Sequence, residues 1–421
     1  MNPMAGLRRL LHHFLTDSLF RNATFLMAST GIMSVLGFGF WIFVAHLYST
    51  TDIGVASAVI AISLLISNLS TLGLNMGLIR FIPESKTPSR DINAAIITVG
   101  AATMLASAIY VLISPSLGSH LSFFSGNVLH GVLFCVLLTA VTLNSLTDSV
   151  FIARRKAHYH TVAYAVFGLV RLILPLFLLP FGALGIFMAY VAAAMVSLGL
   201  SLYFMARNCG YEPLSRPNFQ VLTRTRRFAA DNYGAILLAG LPSQLMPSIV
   251  VTYLGASQSA YFSMAWTMVN LLYIVPTSIA QSLLAEGSND YTNRGQDLWQ
   301  AGRLLALIVV PLVILSVLIA PILLHLFGPD YSKGSTIIFQ ILAASTVFVS
   351  INSLGTAVLN IERRTSVVFS IQVLTTGVTL SGAYLMLPYG LTGIGLAFLA
   401  GSAASSIVHV TVHIASRRHT A

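Results

Sequence analysis

The chain has 421 residues, of which 56% are hydrophobic and 8% charged, with 22 Lys and Arg against 12 Asp and Glu. A soluble domain of this size carries roughly 25% charged residues, so the composition excludes a water-soluble globular protein and requires lipid as part of the solvent. The net charge of +10 would fit a nucleic-acid binder only if the cations were clustered, and instead they follow the loops.

A helix crosses a bilayer with about 20 mostly apolar residues, because the hydrocarbon core is about 30 Å thick and each residue rises about 1.5 Å. Before the first such run, residues 1–20 place Leu7, Leu10, Leu11, Phe14 and Leu15 on one helical face beside Arg8, Arg9, His12 and His13. This predicts an amphipathic segment lying on the inner leaflet. It lacks the pure apolar core and small-residue cleavage site of a secretory signal. Spans are then predicted over 22–48, 53–79, 92–114, 128–153, 159–180 and 184–206, and after a polar, basic linker over 207–228 they resume at 229–254, 258–285, 300–326, 334–360, 366–387 and 392–416. Barrel strands of about ten alternating residues cannot give such runs, so the fold class is all-α and integral to the membrane, with twelve transmembrane helices.

Twenty of the Lys and Arg residues fall on the N-terminus, on the even-numbered loops or, for Arg303, within one helical turn of them, and Lys333 alone falls on an odd-numbered loop. By the positive-inside rule both termini are cytoplasmic. Cys135 lies within the fourth span and Cys209 in a loop, without metal-ligand company, so neither a disulfide nor a metal centre is expected, and no cofactor.

Ionisable groups inside the bilayer cost about 2.5–3.5 kcal/mol on insertion scales, so each requires a reason. Arg171, in the fifth span, sits roughly 18 Å deep, near the midplane. Its planar fork of donors suits a phosphate group; the alternative is an ion pair with Asp148 of the fourth span. Arg80 and Arg154 are placed at the inner mouth. Asn75, Asn144, Gln244, Asn270, Gln281 and Asn352 lie within predicted helices and offer donors and acceptors for sugar hydroxyls, or else interhelical hydrogen bonds. Asp148 and Glu286 are the candidates for a coupling ion. Pro175, Pro242, Pro247, Pro276 and Pro311 fall inside predicted helices, where each removes a backbone hydrogen bond and supplies a bend or hinge. His409 and His413 are four residues apart but have no third ligand, which predicts interfacial packing.

The sequence repeats itself. Leu179-Pro180-Phe181-Gly182, followed by Gly185-Ile186 and Ala189-Tyr190, recurs as Leu387-Pro388-Tyr389-Gly390, Gly393-Ile394 and Ala397-Phe398, an offset of 208. Arg154-Arg155 pairs with Arg363-Arg364 at 209, and Tyr48 through Ala58 with Gly255 through Ala265 at 207. Six spans separate the copies, so both enter the membrane from the same side, as in parallel-repeat transporters. The expected organisation is an N-terminal segment 1–20, a six-helix bundle 21–206, the linker 207–228, a second bundle 229–416 and a tail 417–421, with a central cavity that opens to either side.

The twelve-helix plan, the turn into Asp52-Ile53-Gly54, the Gly77-Leu78-Ile79-Arg80-Phe81 segment and the Leu-Pro-aromatic-Gly turns resemble the polysaccharide transporter family. These are the O-antigen and exopolysaccharide flippases of the multidrug/oligosaccharidyl-lipid/polysaccharide exporter superfamily, with its MATE-like fold. The resemblance implies translocation of a polyprenyl-pyrophosphate-linked oligosaccharide across the cell membrane. It also implies membrane lipids as partners, with polymerase and glycosyltransferases of the same pathway; nucleic acid is not among them. Efflux of a cationic drug is the alternative within the superfamily, and a deep arginine argues against it. A membrane glycosyltransferase or polymerase is the alternative outside it. The outer loops carry only Asp52 and Asp330 as acids, and no nucleophile motif or phosphate loop is present, so no enzyme is expected.

Overall fold

The computed structural model describes residues 18–117, 128–289 and 294–418. The amphipathic segment expected over 1–20 therefore lies almost wholly outside the described residues, as does most of the tail. The helices are α1 (Ser18–Leu47), α2 (Thr50–Thr71), α3 (Leu74–Phe81), α4 (Pro88–Ile113), α5 (Val128–Ala153), α6 (Ala157–Ile173), α7 (Gly182–Asn208), α8 (Gln220–Tyr253), α9 (Ala256–Asn289), α10 (Arg294–Leu318), α11 (Ala320–His325), α12 (Pro329–Gly334), α13 (Thr336–Ile361), α14 (Thr365–Leu385) and α15 (Gly390–Arg418). Twelve helices among the described residues are long and apolar enough to cross a membrane, the number hydropathy predicts. The chain is a multi-pass membrane protein.

Three predicted spans end differently from their hydropathy profile. The second breaks at Leu72 (φ 50°) and Gly73 (φ 72°), a left-handed step that separates α2 from α3. The ninth ends at Leu318 because Pro321 has no N–H for the carbonyl of Val317; Gln340 Nε2 donates to that oxygen at 3.0 Å instead. Pro175 is not interior to the fifth helix: α6 ends at Ile173 and Pro175 opens the 3₁₀ turn Leu174–Phe177. Pro242 and Pro247 lie inside α8, Pro276 inside α9 and Pro311 inside α10, where the sequence places them.

The chain divides into two compact units, one drawn from Met1–Val44 and Ile66–Ala230, the other from Ala45–Leu65 and Asp231–Ala421. In the first, α5 packs between α4 and α7, and α6 lies on α7. A core of Leu78, Ile92, Val99, Val150, Phe151 and Met205 joins α3, α4, α5 and α7. In the second, α13 packs on α9 and α15, and α15 on α14. Residues 45–65 belong to this unit through small side chains that bring backbones together. Thr50 Oγ1 lies 3.3 Å from Ser257 Oγ, Ser263 Oγ donates to Ser57 Oγ at 2.9 Å, and a Cβ on Gly54 would stand 1.7 Å from the carbonyl oxygen of Ala256.

The duplication is present in the backbone. Arg155 (φ 56°) and Arg363 (φ 58°) each close a helix with positive φ, and Gly182 (φ 52°) and Gly390 (φ 61°) follow the two Leu-Pro-aromatic turns with matching backbone angles. Lys156 N–H donates to the Phe151 carbonyl at 2.9 Å and Arg364 N–H to the Leu359 carbonyl at 2.8 Å, the six-to-one bond of a Schellman cap. These pairs share the offset of 208, which corrects the 209 inferred from matching the two Arg-Arg letters.

Part of the linker is strapped to the first unit. Asn93 Nδ2 donates to the carbonyls of Pro213 at 3.0 Å and Ser215 at 2.8 Å, and its Oδ1 accepts from Tyr211 Oη at 2.5 Å. Asn218 Nδ2 donates to Asp91 Oδ1 at 2.9 Å, and Arg90 Nε to the carbonyl of Arg216 at 3.0 Å. Burial raises the Tyr211 phenol above its ordinary range, which keeps it protonated as the donor.

Candidate functional site

The polar face of α6 organises the first unit. His160, Tyr164, Phe167 and Arg171 recur at four, three and four residues, the spacing that puts side chains on one helical face. Arg171 lies on the order of 21 Å along the axis from Ala157, past the middle of its span and deeper than the predicted helix start implied.

The guanidinium is enclosed by aromatic rings. Its central carbon is 4.7 Å from the ring centroid of Phe40 on α1, 5.1 Å from that of Phe167, and 6.0 Å from that of Tyr190 on α7. Phe167 and Tyr190 meet edge to face with centroids 5.6 Å apart. Two glycines let α1 and α6 approach in this way. A Cβ on Gly168 would stand 2.4 Å from Leu36, and one on Gly37 would stand 3.1 Å from Arg171 Nη2. The residue is 9% exposed, and its Nε is fully buried without a hydrogen-bond partner. A cation over an aromatic face gains about 2 kcal/mol when desolvated, which offsets part of the cost of burial.

No carboxylate forms an ion pair with Arg171 among the described residues; the alternative pairing with Asp148 is not made. Asp148 Oδ2 instead accepts from Tyr164 Oη at 2.9 Å, and Oδ1 lies 3.7 Å from His160 Nε2. Asn144, one turn earlier on α5, has a buried Oδ1 without a hydrogen-bond partner.

Asn144, Asp148, Arg154 and Arg171 thus share the first unit, as do Arg80 and Asn75. Arg80 is exposed at the end of α3, 5.8 Å from the Phe81 ring centroid. Arg154 is half-buried, with Nε fully buried and without a partner. Asn75 Oδ1 accepts from the Met76 N–H at 2.9 Å. In the second unit Asn270 and Gln281 are exposed on α9, and Gln244 is half-buried on α8. Asn352 is tied to α15, donating to the Ser402 carbonyl at 3.0 Å and accepting from Ser406 Oγ at 2.9 Å. The side chain of Glu286 lies outside the described ones.

His409 is committed between helices, with Nδ1 3.0 Å from the Ser405 carbonyl and Nε2 3.3 Å from Thr356 Oγ1. It borders a cavity of about 190 Å³ whose walls are mainly apolar, among them Leu298, Leu354 and Val358. Among the described residues no three His, Cys, Asp or Glu side chains gather as a metal site.

Phe40, Gly37, Phe167, Tyr190, His160 and Tyr164 were not singled out by sequence reasoning as members of the site. Those on α6 carried a signal in their spacing with Arg171; those on α1 and α7 carried none.

A family model described as polysaccharide biosynthesis protein matches residues 43–335. No curated protein matches the sequence. Among solved structures, the chain is similar to a multidrug resistance MATE family transporter of the MOP superfamily in an inward-facing conformation, at 15% identity and a TM-score of 0.74, covering 93% of this chain and 97% of that one. It is also similar to the lipid II flippase MurJ in an inward closed conformation, at 12% identity and a TM-score of 0.76, over 93% of this chain and 87% of that one. A MOP superfamily transporter from Pyrococcus furiosus, described as having a binding pocket of reverse polarity, aligns at 16% identity and a TM-score of 0.61, with 93% of each chain covered. At these identities the likeness establishes the MOP-superfamily fold.

Proposed function

Since the chain belongs to the polysaccharide biosynthesis protein family, we propose that it is a flippase. It moves a polyprenyl-pyrophosphate-linked oligosaccharide from the inner to the outer leaflet of the cell membrane by alternating access. The observation that carries this reading is Arg171, a buried cation held by ring faces and neutralised by no carboxylate among the described residues. An aromatic face attracts a guanidinium but accepts none of its strong in-plane hydrogen bonds, so the fork remains available to an anionic guest. A diphosphate supplies the charge that the site lacks.

The fold alone does not choose a substrate, since solved proteins of this fold are named as multidrug transporters and as a lipid flippase. Electrostatics supports the anionic substrate: a deep cation repels a cationic drug and attracts a phosphate. Arg80 and Arg154 would receive the diphosphate at the inner mouth, Asn75, Asn144, Gln244, Asn270 and Gln281 would offer hydrogen bonds to the sugars, and the prenyl chain would stay in lipid; Asn352, bonded to Ser402 and Ser406, serves the packing of α13 on α15 instead. Both termini are cytoplasmic in this reading, and polymerase and glycosyltransferases are the partners. With the cytoplasm negative, outward movement of each negative charge gains about 2.3 kcal/mol per 100 mV, which favours export of a diphosphate.

The test is flipping of a polyprenyl-pyrophosphate-linked sugar in proteoliposomes. Arg171→Gln is expected to reduce the rate at least about tenfold, a loss of about 1.4 kcal/mol of stabilisation, and Arg171→Lys to retain part of it. Full activity in Arg171→Gln refutes the reading.

A further inference from the structure

We propose that Asp148 and His160 form a proton-binding site whose occupancy is coupled to the anion seat at Arg171. The proton site stands on its own geometry; the coupling rests on Arg171 receiving the substrate's phosphate.

Asp148 and His160 are 8% and 7% exposed, and each has a fully buried polar atom without a hydrogen-bond partner: Oδ1 of the acid and Nδ1 of the imidazole. Oδ1 and Nε2 face each other at 3.7 Å, too far for a hydrogen bond and close enough to share one proton after a small approach of α5 and α6. With one proton between them the pair is neutral, as carboxylic acid and imidazole or as carboxylate and imidazolium. A second proton, or none, leaves net charge in a dry place, so the pair takes up and releases single protons. Tyr164 Oη, donating to Oδ2, orients the carboxyl group.

The surroundings limit what else can act on it. From α6 come His160 and Tyr164; from α7 the titratable group nearest this face is Tyr190, which packs on Phe167 and the Arg171 guanidinium. From α3 and α4 the groups that meet α5 include apolar Leu78, Ile92 and Val99, while Asp91 is taken up by Ser85 and Asn218. On α5 itself Arg154 lies six residues on, over a different face.

Tyr190 stands beside the Arg171 seat, its ring centroid 6.0 Å from the guanidinium carbon, and meets Phe167 of α6 edge to face. Tyr164 and Arg171 are seven residues apart on α6, about 10 Å. An anion at Arg171 cancels the field of that cation at Asp148 and strengthens proton binding there, and by reciprocity a bound proton strengthens anion binding. Unit charges about 10 Å apart at an effective dielectric near 20 give roughly a tenfold effect, about one pH unit.

Infrared difference titration of the full chain in liposomes, with farnesyl diphosphate as probe, tests this. The wild type should show a titrating carboxylic-acid band that is absent in Asp148→Asn and titrates about one pH unit higher with farnesyl diphosphate bound. The displacement should vanish in Arg171→Gln. Identical titrations of wild type and Asp148→Asn overturn the proton site. His160→Gln keeps the carboxyl group and should displace its titration; an unmoved step overturns the pairing, and this variant serves if Asp148→Asn fails to fold. Probe binding that depends on Arg171 but leaves the step in place overturns the coupling alone. Probe binding undiminished in Arg171→Gln, with the Asp148 step present, refutes the phosphate reading and with it the coupling, and leaves the proton site supported.

Discussion

Gly37 of α1 lies directly against the guanidinium of Arg171: a Cβ there would stand 3.1 Å from Nη2. The contact is with the far end of a flexible side chain, so Gly37→Ala should be accommodated, with stability changed by less than about 1 kcal/mol. Gly37→Leu fills the seat. We expect it to reduce flipping at least tenfold (about 1.4 kcal/mol) while Arg171 remains present. Thermal unfolding in detergent and transport in proteoliposomes separate these effects; a fully active Gly37→Leu protein removes α1 from the site.

Arg171→Met separates function from structure. An unpaired buried cation is a stability cost that ring faces offset only in part, whereas Met fills similar space without desolvation. The variant should therefore unfold at the same temperature or higher, and it should not transport. A drop of several degrees would instead mark the guanidinium as a structural tie.

The legible and illegible parts of this molecule divide along one line. Spans and repeat turns were readable because hydropathy and the Leu-Pro-aromatic-Gly letters are local. The register of the repeat was misread by one residue, since identical letters invited Arg154 to match Arg363, whereas the left-handed backbone equates Arg155 with Arg363. The aromatic enclosure could not be read: Phe40 and Tyr190 stand on other helices, and in a chain with 24 Phe and 15 Tyr an aromatic in a span is unremarkable. Nor could the bonds of Asn352 to α15, which exist only once α13 and α15 are packed. The face of His160, Tyr164, Phe167 and Arg171 was readable from spacing alone.

The linker, read as a plain boundary, is anchored through one amide. Asn93→Ala would leave the carbonyls of Pro213 and Ser215 and the hydroxyl of Tyr211 without that partner. Unmade buried hydrogen bonds cost about 1–3 kcal/mol each, so a loss of at least about 2 kcal/mol is expected. The strap over 209–219 should also become open to protease. Wild-type cleavage rates would show that the strap holds without Asn93.

The repeat makes a prediction that can be checked twice in one molecule. A Cβ on Gly185 would stand 2.2 Å from the Leu178 carbonyl oxygen, and one on Gly393 would stand 2.1 Å from the Met386 carbonyl oxygen. Both collisions are with backbone, which cannot swing aside as a side chain does, so each turn must shift and take the first helical turn of α7 or α15 with it. Overpacking of this kind costs about 1–3 kcal/mol. Gly185→Ala and Gly393→Ala should therefore lower the unfolding temperature by similar amounts. Hydrogen exchange should locate the loss at the start of α7 in the first variant and at the start of α15 in the second. If either alanine is tolerated without a shift, the two Leu-Pro-aromatic-Gly turns are not equivalent in packing, and the match of Gly182 with Gly390 in backbone angle is a likeness of shape without a likeness of constraint.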